Sequence, residues 1–295
     1  MPIRIRAGPR PRLPATFGAS RPRTVVDRSE CTSATPPVEP LSAWGVFRLP
    51  HFSPYKCYLR RDLGIGVLLN PKVGSTAFRQ ILVEGLTRIG ARPQLGPGWP
   101  INRTRRFMTA SPRDYLHVFN HAADFDFRCF VRNPYARLVS AWHDKLVKGF
   151  HAPVYPRSMR RFVPKLRRWA ADHDLPGAEA GAPFPLASLV SFIASQPEGQ
   201  RNQHWDTQTA VLLARHVPYR HTYRMETELA EGMIDTLSRL GIDSDWIRQK
   251  VARPTNASGK PTKPVYTAAL AQRVYEIYAE DFRRFGYDPD SWTDL

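Results

Sequence analysis

The chain has 295 residues, which is enough to bury one sizeable core, and its formal net charge of +17 gives a pI near 10.3. This charge is spread along the chain as scattered arginines without a zinc-finger or RNA-binding signature, so we expect no nucleic-acid partner. The three cysteines lack the spacing of a disulfide framework or a zinc site, and no apolar run reaches the ~18 residues of a transmembrane helix.

Residues 1–40 form a segment of distinct composition. Proline and arginine cluster there, and too few apolar residues recur to build a helix or a strand. We therefore predict a disordered tail, followed by one folded domain over residues 41–295. Neither a secretory signal nor a membrane anchor is evident, so the expected location is the cytoplasm, in a bacterium.

The stretch 64–76, GIGVLLNPKVGST, predicts a strand, a turn and a helix. A short apolar run ends at Asn70-Pro71, and apolar residues at helical spacing follow from Phe78. A glycine between a strand and a helix lets backbone N–H groups converge at the helix N-terminus, where an anion is stabilised. The lysine precedes the glycine, so the spacing is not that of a Walker A loop. The candidate phosphate-binding residues of this turn are Lys72, Gly74, Ser75 and Thr76.

A second strand-turn-helix follows at 127–145, FRCFVRNPYARLVSAWHDK. The apolar strand ends at Arg132, Asn133 is a good N-cap, and Pro134 occupies the first helical position. Ser140 lies about two turns into this helix. An arginine at a strand end and a serine on the next helix can bind one phosphate from two sides, because they offer a planar fork and a rotatable donor. Alone, Arg132 is equally well explained as a salt-bridge residue at the helix start.

Together these segments resemble the sulfotransferases that use 3′-phosphoadenosine 5′-phosphosulfate (PAPS). PKVGST is similar to their 5′-phosphosulfate loop, and FVRNPYARLVSAW is similar to their 3′-phosphate motif. NQHWDTQ at 202–208 and IYAEDFRRFGY at 277–287 resemble two elements of the carbohydrate sulfotransferases of the HNK-1, chondroitin and dermatan type. Asn133 replaces the acidic residue of that family's pattern, and Thr207 replaces its proline. Animal members are Golgi proteins with a membrane anchor, which is not evident in this sequence.

The resemblance implies a role for each candidate residue. PAPS is the expected co-substrate, and the chemistry requires no metal. Lys72 is expected to stabilise the charge on the leaving oxygen, and Arg132 and Ser140 to bind the 3′-phosphate. The residues expected to bind the 5′-phosphosulfate are Lys72, Gly74, Ser75 and Thr76.

An acceptor hydroxyl also needs a proton acceptor, and histidine suits that role near neutral pH. His121 is the first candidate among nine histidines, because related glycan sulfotransferases place a base in this region of the chain. His204, in NQHWDTQ, is the second candidate. A structural role beside Trp205 is its alternative.

Strands that alternate with helices predict a single P-loop-like α/β domain with a central parallel sheet flanked by helices. Residues 55–70 are expected to form a hairpin, and 219–225 a further strand. The proline-rich regions 91–115 and 151–185 are expected to be irregular loops that recognise the acceptor.

The sequence thus predicts transfer of a sulfuryl group from PAPS to a hydroxyl of a carbohydrate or glycoconjugate, with both neutral and anionic acceptors left open. One alternative is another P-loop-type transferase, such as a small-molecule kinase. A second is a non-enzymatic basic protein that binds nucleic acid or glycan. The basic charge itself fits either an anionic ligand or an arginine-rich genome. The oligomeric state is left open.

Overall fold

A four-stranded sheet lies at the centre of the computed structural model, which describes residues 45–91, 110–148, 157–252 and 265–295. The strands, in their spatial order, are β1 (Cys57–Arg60), β2 (Ile65–Leu68), β3 (Asp126–Val131) and β4 (Tyr219–Arg224). β1 pairs antiparallel with β2, whereas the β2–β3 and β3–β4 pairs are parallel. This confirms the predicted α/β fold. An antiparallel edge strand on an otherwise parallel sheet is common.

The predicted hairpin joins β1 to β2. A short 3₁₀ turn at Arg61–Leu63 ends at Gly64, whose φ of 63° lies in the left-handed region. Gly66 lies in β2, beside Phe127 of β3. A Cβ at Gly66 would lie 2.5 Å from the Phe127 ring, so the close approach of these two strands depends on a glycine there.

Ten α-helices flank the sheet in the described part of the chain. They are α1 (Ser75–Arg88), α2 (Pro112–Asn120), α3 (Pro134–Trp142), α4 (Arg157–Arg160), α5 (Phe162–Asp172), α6 (Leu186–Ala194), α7 (Gln208–Val211), α8 (Leu229–Ser238), α9 (Ser244–Val251) and α10 (Ala268–Phe285). A five-residue π-helical turn, His143–Val147, continues α3. α1 and α3 begin directly after the loops that follow β2 and β3.

Both departures from the family motifs act as helix caps. The side-chain oxygen of Asn133 accepts hydrogen bonds from the N–H groups of Tyr135 and Ala136 at 3.0 and 3.3 Å. The hydroxyl of Thr207 accepts one from Ala210 N–H at 3.2 Å. Asparagine and threonine are good N-cap residues, so α3 and α7 begin where the motifs require.

Buried side chains cover both faces of the sheet. Phe127, Cys129 and Val131 of β3 contact a cluster that includes α2 on one face. Phe130 points to the other face, where it contacts α1 and α8. A further cluster joins α3, α5, α6 and α10 beside the sheet. Burial on both faces explains why four of the six residues of β3 are apolar, and the buried Arg128 is paired with Asp126 and Asp235.

Two predicted loop regions contain helices. α4 and α5 occupy part of 151–185, and α2 begins inside 91–115, of which residues 92–109 lie outside the described residues. Pro164 is the third residue of α5, where its missing N–H would have had no partner within the helix. A proline at this position does not interrupt a helix, so the prediction of an irregular segment over α5 is wrong.

The predicted tail, residues 1–40, also lies outside the described residues. The described residues belong to one compact unit, Pro36–Leu295, and a domain boundary at residue 41 stays a prediction. Within the described ranges, no helix is both long and apolar enough to cross a membrane.

Candidate active site

A cleft of about 1190 Å³ opens where β2 and β3 end. Ligands of parallel α/β sheets bind at this edge, because strand-end loops and helix N-termini converge there. The cleft is lined by all six residues that the sequence predicts for donor binding: Lys72, Gly74, Ser75, Thr76, Arg132 and Ser140. His204 lines the same cleft.

The turn after β2 has two residues in the left-handed region. Lys72 has a φ of 72° and Gly74 a φ of 77°. This conformation is uncommon for a lysine, and such strain is frequent at functional sites. A Cβ at Gly74 would lie 3.2 Å from Leu229 Cδ1, so contact and conformation both favour glycine. Because Gly74 has no side chain that could cap α1, the first N–H groups of this helix are left for a bound anion.

Arg132 is fixed at the end of β3 by its backbone and its side chain. Gln208 Oε1 accepts from Arg132 N–H at 2.9 Å, and Gln208 Nε2 donates to the Arg132 carbonyl at 2.7 Å. The guanidinium donates to the carbonyl oxygen of Lys72 at 3.2 Å, which links the loops that follow β2 and β3. Burial lowers the pKa of Arg132, although the carboxylate of Glu226 opposes the shift. A cation that is partly removed from water is well suited to bind an anion.

Arg137 connects the two walls of the cleft, and the sequence analysis did not select it. Its buried guanidinium donates to three backbone carbonyls: those of Pro71 at 3.2 Å, Gln203 at 2.9 Å and Asp206 at 2.7 Å. Three fixed donors require the planar fork of arginine. Arg137 is the second arginine of the segment FVRNPYARLVSAW, which resembles the 3′-phosphate motif. This residue of the motif therefore supports the loops that line the cleft.

Asp144 and Lys145 are two further cleft residues that the sequence analysis did not select. They lie in the π-helical turn that follows α3, and π-turns are frequent at functional sites. Asp144 Oδ2 lies 3.1 Å from Lys72 Nζ and 3.0 Å from Lys145 Nζ. Burial lowers the pKa of Lys72, and the neighbouring Asp144 carboxylate opposes that shift.

His204 lines the cleft as a neutral imidazole. Its backbone N–H donates to Asn202 Oδ1 at 3.1 Å, which identifies that atom as an acceptor. His204 Nδ1 lies 2.7 Å from the same oxygen, so the neutral ring has its proton on Nδ1 and its lone pair on Nε2. Burial lowers the pKa of His204 to about 3, and the positive charges of Lys145 and Lys72 act in the same direction. The free protein therefore contains a neutral imidazole at physiological pH.

His51 and Asp206 form a buried pair at the same cleft. His51 Nε2 lies 2.6 Å from Asp206 Oδ2, across 155 residues of sequence. Asp206 also accepts from the N–H groups of Gly199 and Thr207 at 2.8 and 2.9 Å. The pair thus fixes the loop 199–206, which contains His204, to the segment that precedes β1. No sequence motif indicated a role for His51.

The structure places His121 away from the residues that line the cleft. This residue is exposed and directly follows α2, before β3 begins. Arg132 follows the other end of this six-residue strand, which is about 20 Å long. The His121 ring lies beside the ring of His117, with 4.6 Å between the centroids. His121 is not among the residues that line the cleft, so His204 remains as the candidate base.

These features define a class of protein. Anion-binding groups in two adjacent strand-end loops of a parallel sheet are typical of α/β transferases that bind a nucleotide phosphate. The profile of the Sulfotransferase family matches residues 71–288, and the chain belongs to that family. The matched range begins at the loop of Lys72 and extends beyond α10, so it includes His204 and all six residues predicted to bind the donor, but not His51.

The most informative relatives are carbohydrate sulfotransferases of animals. The chain is 24% identical to carbohydrate sulfotransferase 11 of Mus musculus over 172 residues, which cover 56% of this chain and 48% of the relative. It is 28% identical to carbohydrate sulfotransferase 12 of Mus musculus over 170 residues, which cover 54% and 39%. The chain therefore spans about half the length of the curated relatives it matches, or less. No solved structure matches the chain.

These relatives overturn the expected cytoplasmic location. They are animal carbohydrate sulfotransferases, the group described above as Golgi proteins with a membrane anchor. The expectation had depended only on the lack of a recognisable signal or anchor in the sequence, and such a lack indicates no location. A bacterial source stays a prediction.

Proposed function

We propose that this protein transfers the sulfuryl group of PAPS to a hydroxyl of a carbohydrate or glycoconjugate. The observation that supports this most strongly is the meeting of three groups in one cleft: the loop of Lys72, the pair Arg132 and Ser140, and the imidazole of His204. Membership of the sulfotransferase family supports the reaction, and the names of the relatives support a carbohydrate acceptor.

The donor has a negative group at each end of its ribose, and the cleft offers a site for each. The 5′-phosphosulfate is proposed to bind at the N-terminus of α1, to the N–H groups after Gly74 and the hydroxyls of Ser75 and Thr76. The 3′-phosphate is proposed to bind between Arg132 and Ser140. Three apolar side chains of the cleft supply a surface for the adenine: Met225, Leu229 and Met233.

The chemical step exchanges one bond to sulfur for another. The acceptor oxygen forms a bond to sulfur, the bond from sulfur to the bridging oxygen breaks, and that oxygen leaves with the electron pair on adenosine 3′,5′-bisphosphate. Lys72 stabilises the charge that develops on the bridging oxygen. The acceptor proton passes to Nε2 of His204. The positive charges of Lys145 and Lys72 add to the effect of burial on the pKa of His204, and the negative charge of the bound donor opposes the part that these lysines contribute.

An anionic carbohydrate fits the remainder of the cleft best. Among the described residues that line it, Lys56 and Lys148 are cations with no assigned part in donor binding. A uronate or sulfated sugar would place negative charge beside them. A panel of glycans that is tested for sulfate transfer should therefore contain neutral and acidic members in parallel.

The direct test is transfer of labelled sulfate from PAPS to that panel, together with thermal unfolding in the presence of nucleotides. Adenosine 3′,5′-bisphosphate is expected to raise the Tm, whereas ATP with Mg²⁺ is not. Stabilisation by ATP alone would indicate a small-molecule kinase. Salt-sensitive binding of polyanions without transfer, unchanged by loss of Lys72, would indicate a non-enzymatic basic protein.

Arg132→Ala is expected to weaken the binding of adenosine 3′,5′-bisphosphate by about 2–3 kcal/mol, because a charge-assisted phosphate contact is lost. Isothermal titration calorimetry measures this directly. Arg161→Ala removes an exposed arginine at the start of α5 and is the matched control, with unchanged affinity. An affinity that is unchanged in Arg132→Ala would exclude this residue from the 3′-phosphate site.

His204→Ala is expected to lower turnover by about 10²–10⁴-fold with bisphosphate affinity unchanged, because a general base contacts the acceptor. The loss of turnover should become smaller as pH rises, because the acceptor hydroxyl then depends less on a general base. Turnover is measured at saturating PAPS across pH 6–9. His121→Ala is the control and should keep near-normal activity. If His204→Ala is also near normal, a carboxylate or water accepts the proton.

A further inference from the structure

Two lysines of the cleft share a single carboxylate oxygen. Lys72 Nζ and Lys145 Nζ lie 3.1 and 3.0 Å from Asp144 Oδ2, so the two ammonium groups can be no farther apart than the sum of these distances. Lys72 belongs to the loop after β2, whereas Lys145 belongs to the π-helical turn after α3. Two ammonium groups from separate elements that converge on one anionic oxygen form a small anion-binding site.

This site and the candidate base His204 lie in the same cleft. Lys145 and Lys72 are the charged groups that most strongly lower the pKa of His204, after its burial. All four residues line the same cleft. The two ammonium groups and the imidazole that is proposed to accept the hydroxyl proton therefore share one cleft, which is where the sulfur atom must lie during transfer.

The Asp144 carboxylate lies closer to solvent than the two lysines that it contacts. The side chain of Asp144 is 44% exposed, whereas those of Lys72 and Lys145 are 18% and 20% exposed. Asp144 can therefore rotate into solvent while the two ammonium groups keep their positions. Water reaches the half-exposed carboxylate of this ion pair and weakens its hold, so an incoming anion can displace it.

We propose that Lys145 is a second catalytic cation that binds the transferred sulfuryl group together with Lys72, and that the Asp144 carboxylate occupies this anion position in the free protein. The proposal rests on the sulfotransferase function proposed above. Lys72 binds at the bridging oxygen, and Lys145 binds a non-bridging oxygen of the same sulfuryl group. The sulfur passes to the acceptor oxygen, the bridging oxygen leaves with its electron pair, and the proton goes to His204.

The electrostatics of Lys72 agree with a displaceable carboxylate. Burial lowers the pKa of Lys72, and the nearby cations Lys145 and Arg132 lower it further, while Asp144 raises it. Without an anion at this position, Lys72 would lose its proton more readily. Asp144 thus keeps Lys72 charged in the free protein, and the sulfuryl group does so in the complex.

The experiment compares the affinities of PAPS and of adenosine 3′,5′-bisphosphate, which lacks the sulfuryl group, by calorimetry without acceptor. Lys145→Met is expected to lower the affinity for PAPS about tenfold or more and to change the affinity for the bisphosphate by no more than about twofold. Turnover should fall by about 10²-fold. Lys165→Met, at an exposed lysine of α5 outside the cleft, is the matched control and should change neither affinity.

Asp144→Asn is expected to act in the opposite direction. It removes the competing carboxylate, so PAPS should bind several-fold more tightly while the bisphosphate is unchanged. The alkaline limit of kcat/KM for PAPS should move to lower pH, because Lys72 loses the neighbour that raises its pKa. A carboxylate with only a structural role would not move this limit.

The proposal is overturned if Lys145→Met lowers the affinities for both nucleotides equally, or if Asp144→Asn lowers the affinity for PAPS. These results require that the wild-type protein binds the bisphosphate and transfers sulfate. A wild-type protein that does neither would instead refute the proposed function, so the two failures are distinct. Thermal unfolding of each variant establishes that it is folded before its affinities are compared.

Discussion

Lys72→Ala is expected to lower turnover by about 10²–10³-fold, because the charge on the leaving oxygen loses its nearest counter-charge. Bisphosphate affinity should fall much less, since the N-terminus of α1 and the pair Arg132 and Ser140 still bind both phosphates. Single-turnover rates at saturating PAPS isolate the chemical step from product release. Alanine and lysine both have a Cβ, so this variant adds no strain at the φ of 72°.

Lys72→Gly is the informative companion variant. Its turnover should match that of Lys72→Ala, but its free energy of unfolding should rise by about 1 kcal/mol, because glycine adopts a left-handed conformation without strain. Greater stability with lost activity would show that the strained backbone conformation of Lys72 serves to position its ammonium group. If Lys72→Ala turns over within tenfold of wild type, another group stabilises the leaving oxygen, and Lys145 is the first candidate.

The sequence brings the residues proposed to bind the donor to one place in the fold, because their signals are local. Each phosphate-binding loop is a strand, a turn and a helix within about twenty residues, and hydrophobic periodicity together with cap residues locates all three parts. Gly74 and Arg132 occupy positions that the backbone itself defines, at a helix start and at a strand end. The resemblance to known sulfotransferase motifs then supplied their roles.

The acceptor side could not be predicted, because its contacts are long-range. The His51–Asp206 pair spans 155 residues, and Asp144 meets Lys72 only through a π-turn that no sequence pattern indicates. His121 was selected because related glycan sulfotransferases place a base in this region of the chain, but in the structure it precedes β3 whereas the cleft opens where β3 ends. Sequence distance from a strand does not state at which end of the sheet a residue lies.

Asp281 links the C-terminal helix to the donor site. This fully buried carboxylate of α10 accepts hydrogen bonds from Gln208 N–H at 2.7 Å and from Thr209 N–H and Oγ1, both at 2.8 Å. These N–H groups belong to the first turn of α7. The side chain of Gln208 in turn holds the backbone of Arg132. A change at Asp281 should therefore affect both folding and phosphate binding.

Asp281→Asn is expected to lower the free energy of unfolding by about 2–3 kcal/mol at pH 7.5, because an amide of the same shape must direct its own N–H towards a backbone donor. Bisphosphate affinity should also fall several-fold, as Gln208 loses its anchor. Urea unfolding and calorimetry measure the two effects. Arg132→Ala provides the comparison, since it should weaken binding without a comparable loss of stability.

The pH dependence of the free energy of unfolding tests the role of Asp281 more sharply. Burial raises the pKa of Asp281 from its ordinary value of 3.8 to about 6, so the folded protein holds this proton more tightly than the unfolded chain does. The contribution of Asp281 to stability therefore grows as pH falls through 6 and is lost as pH rises above it. The stability difference between wild type and Asp281→Asn should widen by about 2 kcal/mol from pH 7.5 to 4.5. A constant or narrowing difference would show that the three hydrogen bonds outweigh burial and keep the carboxylate ionised.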